Sequence, residues 1–234
     1  MSYSPEIIAA LRPVSTATLT TVLLKKGLRN VWIRGAFELG APGARIIGEA
    51  FTLRFVPARE DMATPASWAS PTSTRAAIEA MPAGCVTVAD AAGGVTDAGI
   101  FGDILSARMA KRGVAALITD GVMRDIEGLR TTGLRVFARG VAAPPSVAGL
   151  TFVGWQQPIG CGGVAVFPGD LIVADQDGAV VVPQALVSEV VPLAVEQERF
   201  ESWVIEEVRR GVALPGLYPP DEATKARYEA RRSD

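Results

Sequence analysis

Histidine is missing from all 234 residues of this sequence, and that absence removes more chemistry than any single residue defines. Without it the chain cannot build a Ser-His-Asp triad, a Cys-His pair, a histidine general base or a histidine-ligated zinc site. Cysteine is scarce too. Cys85 and Cys161 lie far apart and neither belongs to a CxxC pair, so a reduced pair and a bacterial cytoplasm are expected. Lysine occurs only at Lys25, Lys26, Lys111 and Lys225. Schiff-base chemistry wants a desolvated lysine, whereas Lys25–Lys26 and Lys111–Arg112 stand before glycines, the pattern of exposed helix C-termini. Apolar runs are no longer than a strand, and Met1 to Ser15 lacks the layout of a signal peptide, so neither a membrane span nor secretion is expected. Neither sign of charge dominates: the net charge is −2 with the signs interspersed. That gives no electrostatic case for nucleic acid or an anionic membrane as partner. What survives is carboxylate chemistry with arginine as the anion binder, and an oxygen-only site favours a hard ion, Mg²⁺ or Mn²⁺.

The length suits one well-buried domain, read here as residues 1–213, followed by a Pro-rich and then charged tail, 214–234. Residues 3–27 read as a helix that Gly27 stops. Ala44 to Val56 turns to β-branched and aromatic residues, the mark of strands. Pro57 to Ser73 is a long polar loop carrying Arg59, Glu60, Asp61 and Trp68, and loops of that length are often functional. Thr72 or Ser73 can cap a helix through Met81. Cys85 to Ala89 and Val114 to Thr119 read as buried strands around a helix from Gly102 to Arg112. A short helix near Asp125–Thr131 and a strand over Arg135–Ala138 come next. Short strands then alternate with glycine turns at 150–154, 163–166, 171–174 and 179–182, before a long amphipathic helix from Pro183 to Arg210. The order is mixed α/β, and the tail reads as a docking arm.

The sharpest local feature lies between Gly99 and Asp125. Asp103 follows a glycine-rich turn at the start of a helix, the next strand ends at Asp120-Gly121, and Arg124-Asp125 opens the helix after it. Consecutive βα units of a parallel sheet set such loops side by side, where α/β sheets place ligands. Any one Asp at a helix start is most often only a cap; the combination is what carries weight. Gly102-Asp103-Ile104-Leu105, twenty residues, then Arg124-Asp125 resembles the D-x20-R-D signature of the RraA-like family. That family includes the class II 4-hydroxy-4-methyl-2-oxoglutarate and 4-carboxy-4-hydroxy-2-oxoadipate aldolases. The neighbouring text agrees at Gly113-Val114-Ala115-Ala116-Leu117, Thr119-Asp120-Gly121-Val122, Pro168-Gly169-Asp170 and Val173 to Gly178, and the similarity runs from roughly Thr18 to Gly211.

The resemblance implies an α-β-α sandwich with a mixed sheet and a long C-terminal helix. It also implies a metal-dependent aldolase that cleaves a 4-hydroxy-2-oxo acid to pyruvate, with oxaloacetate decarboxylation at the same site. Asp125 would ligate the metal, Asp103 would orient a metal-bound water, and Arg124 would hold the substrate carboxylate or oxyanion. The backbone at Gly102, Asp103, Ile104 and Leu105 would bind the pyruvoyl end of a small anionic 2-oxo acid. Family sites also receive a glutamate from a neighbouring subunit's C-terminal helix, for which Glu198 and Glu201 are the candidates, within a homotrimer or dimer of trimers. Two other readings stand beside it: a non-catalytic regulator that binds ribonuclease E, and a metal-dependent hydro-lyase or tautomerase acting on a sugar-derived keto acid. Retention of Asp103, Arg124 and Asp125 together argues for catalysis. Phe51 to Trp68, with Arg54, is an elaboration on those aldolases that either lines a different pocket or is a surface loop. Gly160-Cys161-Gly162-Gly163 reads as turn chemistry, Cys161 as a buried small residue, and Asp170, Asp175 and Asp177 as turn-forming aspartates.

Overall fold

The computed structural model describes residues 3–233. Two helices, α1 (Pro5–Leu11) and α2 (Thr16–Lys25), replace the single helix expected over residues 3–27. Pro13 has no N–H to continue the ladder, and Ser15 opens the second helix by accepting from the Thr18 amide. The two axes diverge by 103°. The end of α2 is as read, with Lys25 in its last turn and Gly27 beyond it at φ 85°.

After β1 (Phe37–Glu38) comes β2 (Ile46–Pro57), one unbroken strand of 12 residues. Then follow α3 (Thr74–Ala80), capped by Ser73 as expected, β3 (Val86–Asp90) and α4 (Asp103–Lys111). Next are β4 (Ala116–Thr119), β5 (Val122–Met123), α5 (Ile126–Leu129), β6 (Arg135–Ala138) and β7 (Gly140–Val141). The glycine-punctuated section gives β8 (Leu150–Trp155), β9 (Ile159–Cys161), β10 (Val164–Val166), β11 (Leu171–Asp175) and β12 (Gly178–Val182). Gly162 and Gly163, at φ 55° and 76°, make the β9–β10 turn, but Gly160 and Cys161 belong to the strand before it. A 3-10 turn at Gln184–Leu186 leads into the long helix α6 (Val187–Arg209). The tail carries a further helix, α7 (Glu222–Ser233), that the composition alone did not reveal; Asp234 lies outside the described residues.

The main sheet runs β1-β6-β4-β3-β2-β11-β12, with β8 also paired to β2. Strands β2, β3, β4 and β6 are mutually parallel; β1, β8, β11 and β12 join antiparallel. The sheet is therefore mixed, as expected. Alternation along the strands builds a core on each face. Phe51, Leu53, Phe55 and Leu117 pack with Ile78, Phe101 and Met109 on the face that carries α3 and α4. Ala50, Val86, Val88, Ala116 and Ile118 face Ile33, Phe137, Ile159 and Cys161 on the other. A third core joins α1, α2 and α6 to β11 and β12. Among the described residues no single helix is long and apolar enough to cross a membrane.

Candidate active site

Backbone pairing brings the two halves of the D-x20-R-D pattern together. The turn after β3 is anchored at its start by Asp120, 1% exposed, which accepts from the Ala91 and Gly162 amides at 2.9 and 3.0 Å. At its end the turn runs beside β5: the Ile100 amide donates to Val122 O at 2.8 Å, and the Arg124 amide to Phe101 O at 3.0 Å. Gly102-Asp103 and Arg124-Asp125 consequently sit on one rim. Glycine is needed for the approach. A Cβ at Gly99 would lie 2.7 Å from Arg124 Cβ, one at Gly102 would collide with Asp125 Oδ2, and one at Gly128 with Asp103 Oδ2. Each aspartate thus lies over a glycine of the other's segment.

Asp125 occupies the position before α5 at φ 54°, ψ 46°, left-handed backbone that costs a non-glycine residue free energy. Its side chain caps nothing. Oδ2 instead accepts from Arg124 Nε at 3.1 Å, the two side chains being 39% and 32% exposed. Asp103 Oδ1 accepts from the Ile104 amide at 2.7 Å. That amide is thus already engaged within the chain. The pocket over the rim has a volume of about 270 Å³. Asp103, Arg124 and Asp125 line it together with Ile104 and Leu105, and Trp68, Thr74, Arg75 and Ser146 line it too.

Glu198 and Glu201 do not line this pocket. Glu198 Oε2 accepts from the Ser15 amide at 2.9 Å, Ser15 Oγ at 3.1 Å and Thr18 Oγ1 at 2.6 Å. Glu201 accepts from Gln197 at 2.7 Å and from the Tyr218 hydroxyl at 2.9 Å. Within one chain both carboxylates tie α6 to its neighbours. Of the elaborated loop only Trp68 reaches the pocket; Arg59 pairs with Asp61 in the open. Arg75, Thr74 and Ser146 went unread. In sequence Arg75 is simply an arginine in the first turn of a short helix, and only the fold sets it against Trp68, with its guanidinium carbon 4.9 Å from the ring centroid.

Two of the aspartates read as turn-forming, Asp170 and Asp175, bind backbone amides. Asp170 accepts from the Phe167 and Gln184 amides, and Asp175 from Thr16 and the Asp177 amide. Cys85 and Cys161 are buried free thiols, and burial pushes the Cys85 thiol up to about 11. Burial likewise raises the Asp90 carboxyl, against the pull of the Gly160 amide.

A family model described as RraA-like: Aldolase/RraA matches residues 16–181. A protein of Halalkalibacterium halodurans, provisionally named a 4-hydroxy-4-methyl-2-oxoglutarate aldolase, is 37% identical over 125 residues, 53% of this chain and 58% of that protein. Protein DlpA of Legionella pneumophila is 29% identical over 164 residues, 68% of this chain and 26% of its own length. The chain thus spans 26% and 58% of these two relatives. Among solved structures, an uncharacterized protein from Pseudomonas syringae pv. tomato aligns with a TM-score of 0.78 at 28% identity, covering 93% of this chain and 99% of that one. Streptomyces coelicolor RraAS2, described as an unusual member of the RNase ES inhibitor RraA protein family, aligns with a TM-score of 0.76 at 33% identity, covering 87% and 97%.

Proposed function

The chain belongs to the RraA-like family, and on that premise we propose that it is a divalent-metal-dependent lyase that cleaves a 4-hydroxy-2-oxo acid to pyruvate. The observation that carries the reading is the meeting of Asp103, Arg124 and Asp125 on one pocket rim, with Asp125 held in a left-handed conformation that serves no helix cap.

The donors suit one kind of ion. They are oxygen-only, no histidine exists to add, and among the described residues no group of three or more Asp, Glu or Cys ligands forms. A zinc site does not fit; a hard dication that keeps most of its waters and takes one or two carboxylates does. Asp125 would hold it, and Gly102 leaves room at that carboxylate. When bound, Mg²⁺ or Mn²⁺ would supply positive charge to polarise the substrate's 2-oxo group.

The chain's own groups supply the rest. Arg124 pairs with the substrate's C1 carboxylate and stabilises charge that develops as the bond breaks. The Leu105 amide adds a donor at the pyruvoyl end. Asp103, its Oδ1 fixed by the Ile104 amide, uses Oδ2 to take a proton from a water in the pocket. That water takes the C4 hydroxyl proton as the C3–C4 bond opens. The electron pair of that bond becomes pyruvate enolate, C4 leaves as a carbonyl, and a proton returned to C3 gives pyruvate. Oxaloacetate would lose CO₂ through the same enolate.

The reading includes a reducing, cytoplasmic setting for the two free thiols and assembly as a homotrimer or dimer of trimers. In such an assembly a neighbour's Glu198 or Glu201 would have to leave its bonds to α2 and Tyr218 to reach the pocket. The likeness to RraAS2 favours a second reading, a regulator that binds ribonuclease E.

The test is pyruvate release from a panel of 4-hydroxy-2-oxo acids and from oxaloacetate, with Mg²⁺ or Mn²⁺ and then with EDTA. Activity is expected only with metal, and Asp125→Ala is expected to lower it on the order of 10²–10³-fold. Turnover indifferent to chelation would sink the mechanism. Ribonuclease E binding without any turnover would establish the regulator instead.

A further inference from the structure

Arg75, in the first turn of α3, lines the pocket beside Trp68 of the elaborated loop. Its guanidinium lies over the Trp68 ring, 4.9 Å from the centroid, and Trp68 and Arg75 share the 270 Å³ pocket with Asp103, Arg124 and Asp125. Two short elements hold the pair in place. Trp68 sits in the 3-10 turn Pro65–Ala69, while Arg75 follows the Ser73 cap of α3, whose Ala77 and Ile78 are buried. Among the described residues the Arg75 side chain has no carboxylate and no hydrogen-bond acceptor, in contrast to Arg124, which is paired with Asp125 at 3.1 Å. Stacking engages only the π face of a guanidinium. Its N–H fork, which lies in the guanidinium plane, stays open to a carboxylate. Thr74 and Ser146 line the same pocket.

We propose that Arg75, braced on Trp68, binds a second anionic group of the substrate, so that Arg75 makes the site select two-anion oxo acids over one-anion oxo acids. This rests on the oxo-acid reading of the pocket given above. It assigns that selectivity to Arg75 of α3, with Trp68 of the elaborated loop as its brace.

The experiment uses the full chain with Mg²⁺ and two ligands that lack a C4 hydroxyl: 2-oxoglutarate, a dianion, and 2-oxobutyrate, a monoanion. Calorimetry should show the wild type preferring the dianion. Arg75→Met should weaken 2-oxoglutarate on the order of 10–100-fold, the loss expected for a charged hydrogen-bonded pair, and change 2-oxobutyrate less than about 2-fold. Arg75→Lys should recover only part, because a lysine neither stacks flat nor offers a fork. Trp68→Leu should fall between. With a cleavable diacid the same variants should raise KM and leave kcat near the wild-type value. Equal losses for both ligands, no change in either, or no binding of either by the wild type would overturn the assignment. The two proposals fail separately. Pyruvate release with an indifferent Arg75→Met removes Arg75 and leaves the lyase, whereas dianion-selective binding without any cleavage removes the lyase and leaves Arg75.

Discussion

At the level of single residues, the site depends on two glycines as much as on two acids. Gly102 has no Cβ where Asp125 Oδ2 lies, and its own backbone is extended rather than left-handed. Gly102→Ala should therefore fold normally while pushing the Asp125 carboxylate aside. Turnover should drop on the order of 10²-fold, as small misplacements of a reacting group do, with the thermal midpoint moved by roughly 2 °C or less. A large loss of Tm alongside activity would show that Gly102 serves the fold and not the carboxylate. That Asp103 and Arg124-Asp125 share one rim was legible from their place in consecutive βα units. The glycines' partners were not, because a close approach between residues twenty-odd positions apart leaves no mark on either segment. Arg75 was hidden for the same reason.

Elements were readable where the period was clean. β3, β4, β6 and β12 fall close to their expected positions because they are short β-branched or apolar runs between glycines. The first helix was misread because its apolar spacing continues across Pro13, and only the missing amide breaks it. What repairs that break is Asp175 on β11, which accepts from the Thr16 amide at 2.9 Å and from Thr16 Oγ1 at 2.6 Å. Burial alone would raise the Asp175 carboxyl, but bonds from Thr16, the Asp177 amide and Arg45 outweigh it and hold the pKa below the ordinary value. A folded pKa below the unfolded one contributes stability above the unfolded pKa, about 3.9, and that stability is lost as pH falls through the folded pKa. Asp175→Asn should cost on the order of 1 kcal/mol at neutral pH. Urea titrations should show that gap closing below about pH 4, and a gap that stays constant with pH would mean that the carboxylate's charge is not what joins α2 to the sheet.

Over the whole molecule, the tail is the part that composition described least well. A charged stretch such as Glu222–Ser233 has little apolar pattern of its own, yet Tyr228 and Leu217 are 8% and 1% exposed against Trp203 and Val204 of α6. The expected docking arm docks on its own chain. Removing residues 214–234 should cost roughly 3–6 kcal/mol, the burial of two large side chains, measured by denaturant unfolding with the m-value lowered as well. A truncated chain as stable as the full one would mean that α7 only decorates α6.

The 12-residue strand β2 also sets the order of assembly. Its one edge pairs with β3, but the other is shared by β11 over Ile46–Glu49 and by β8 over Leu53–Pro57. On a ribosome adding roughly 5–20 residues per second, the stretch from Pro57 to Leu150 takes on the order of 5–20 s to make. For that interval the edge that will receive β8 has no partner, and Phe51, Leu53 and Phe55 lack a finished core. The sheet around β2 can therefore close only after its later strands have been made, and the pocket, whose lining includes Ser146, can be complete no sooner than that residue is added.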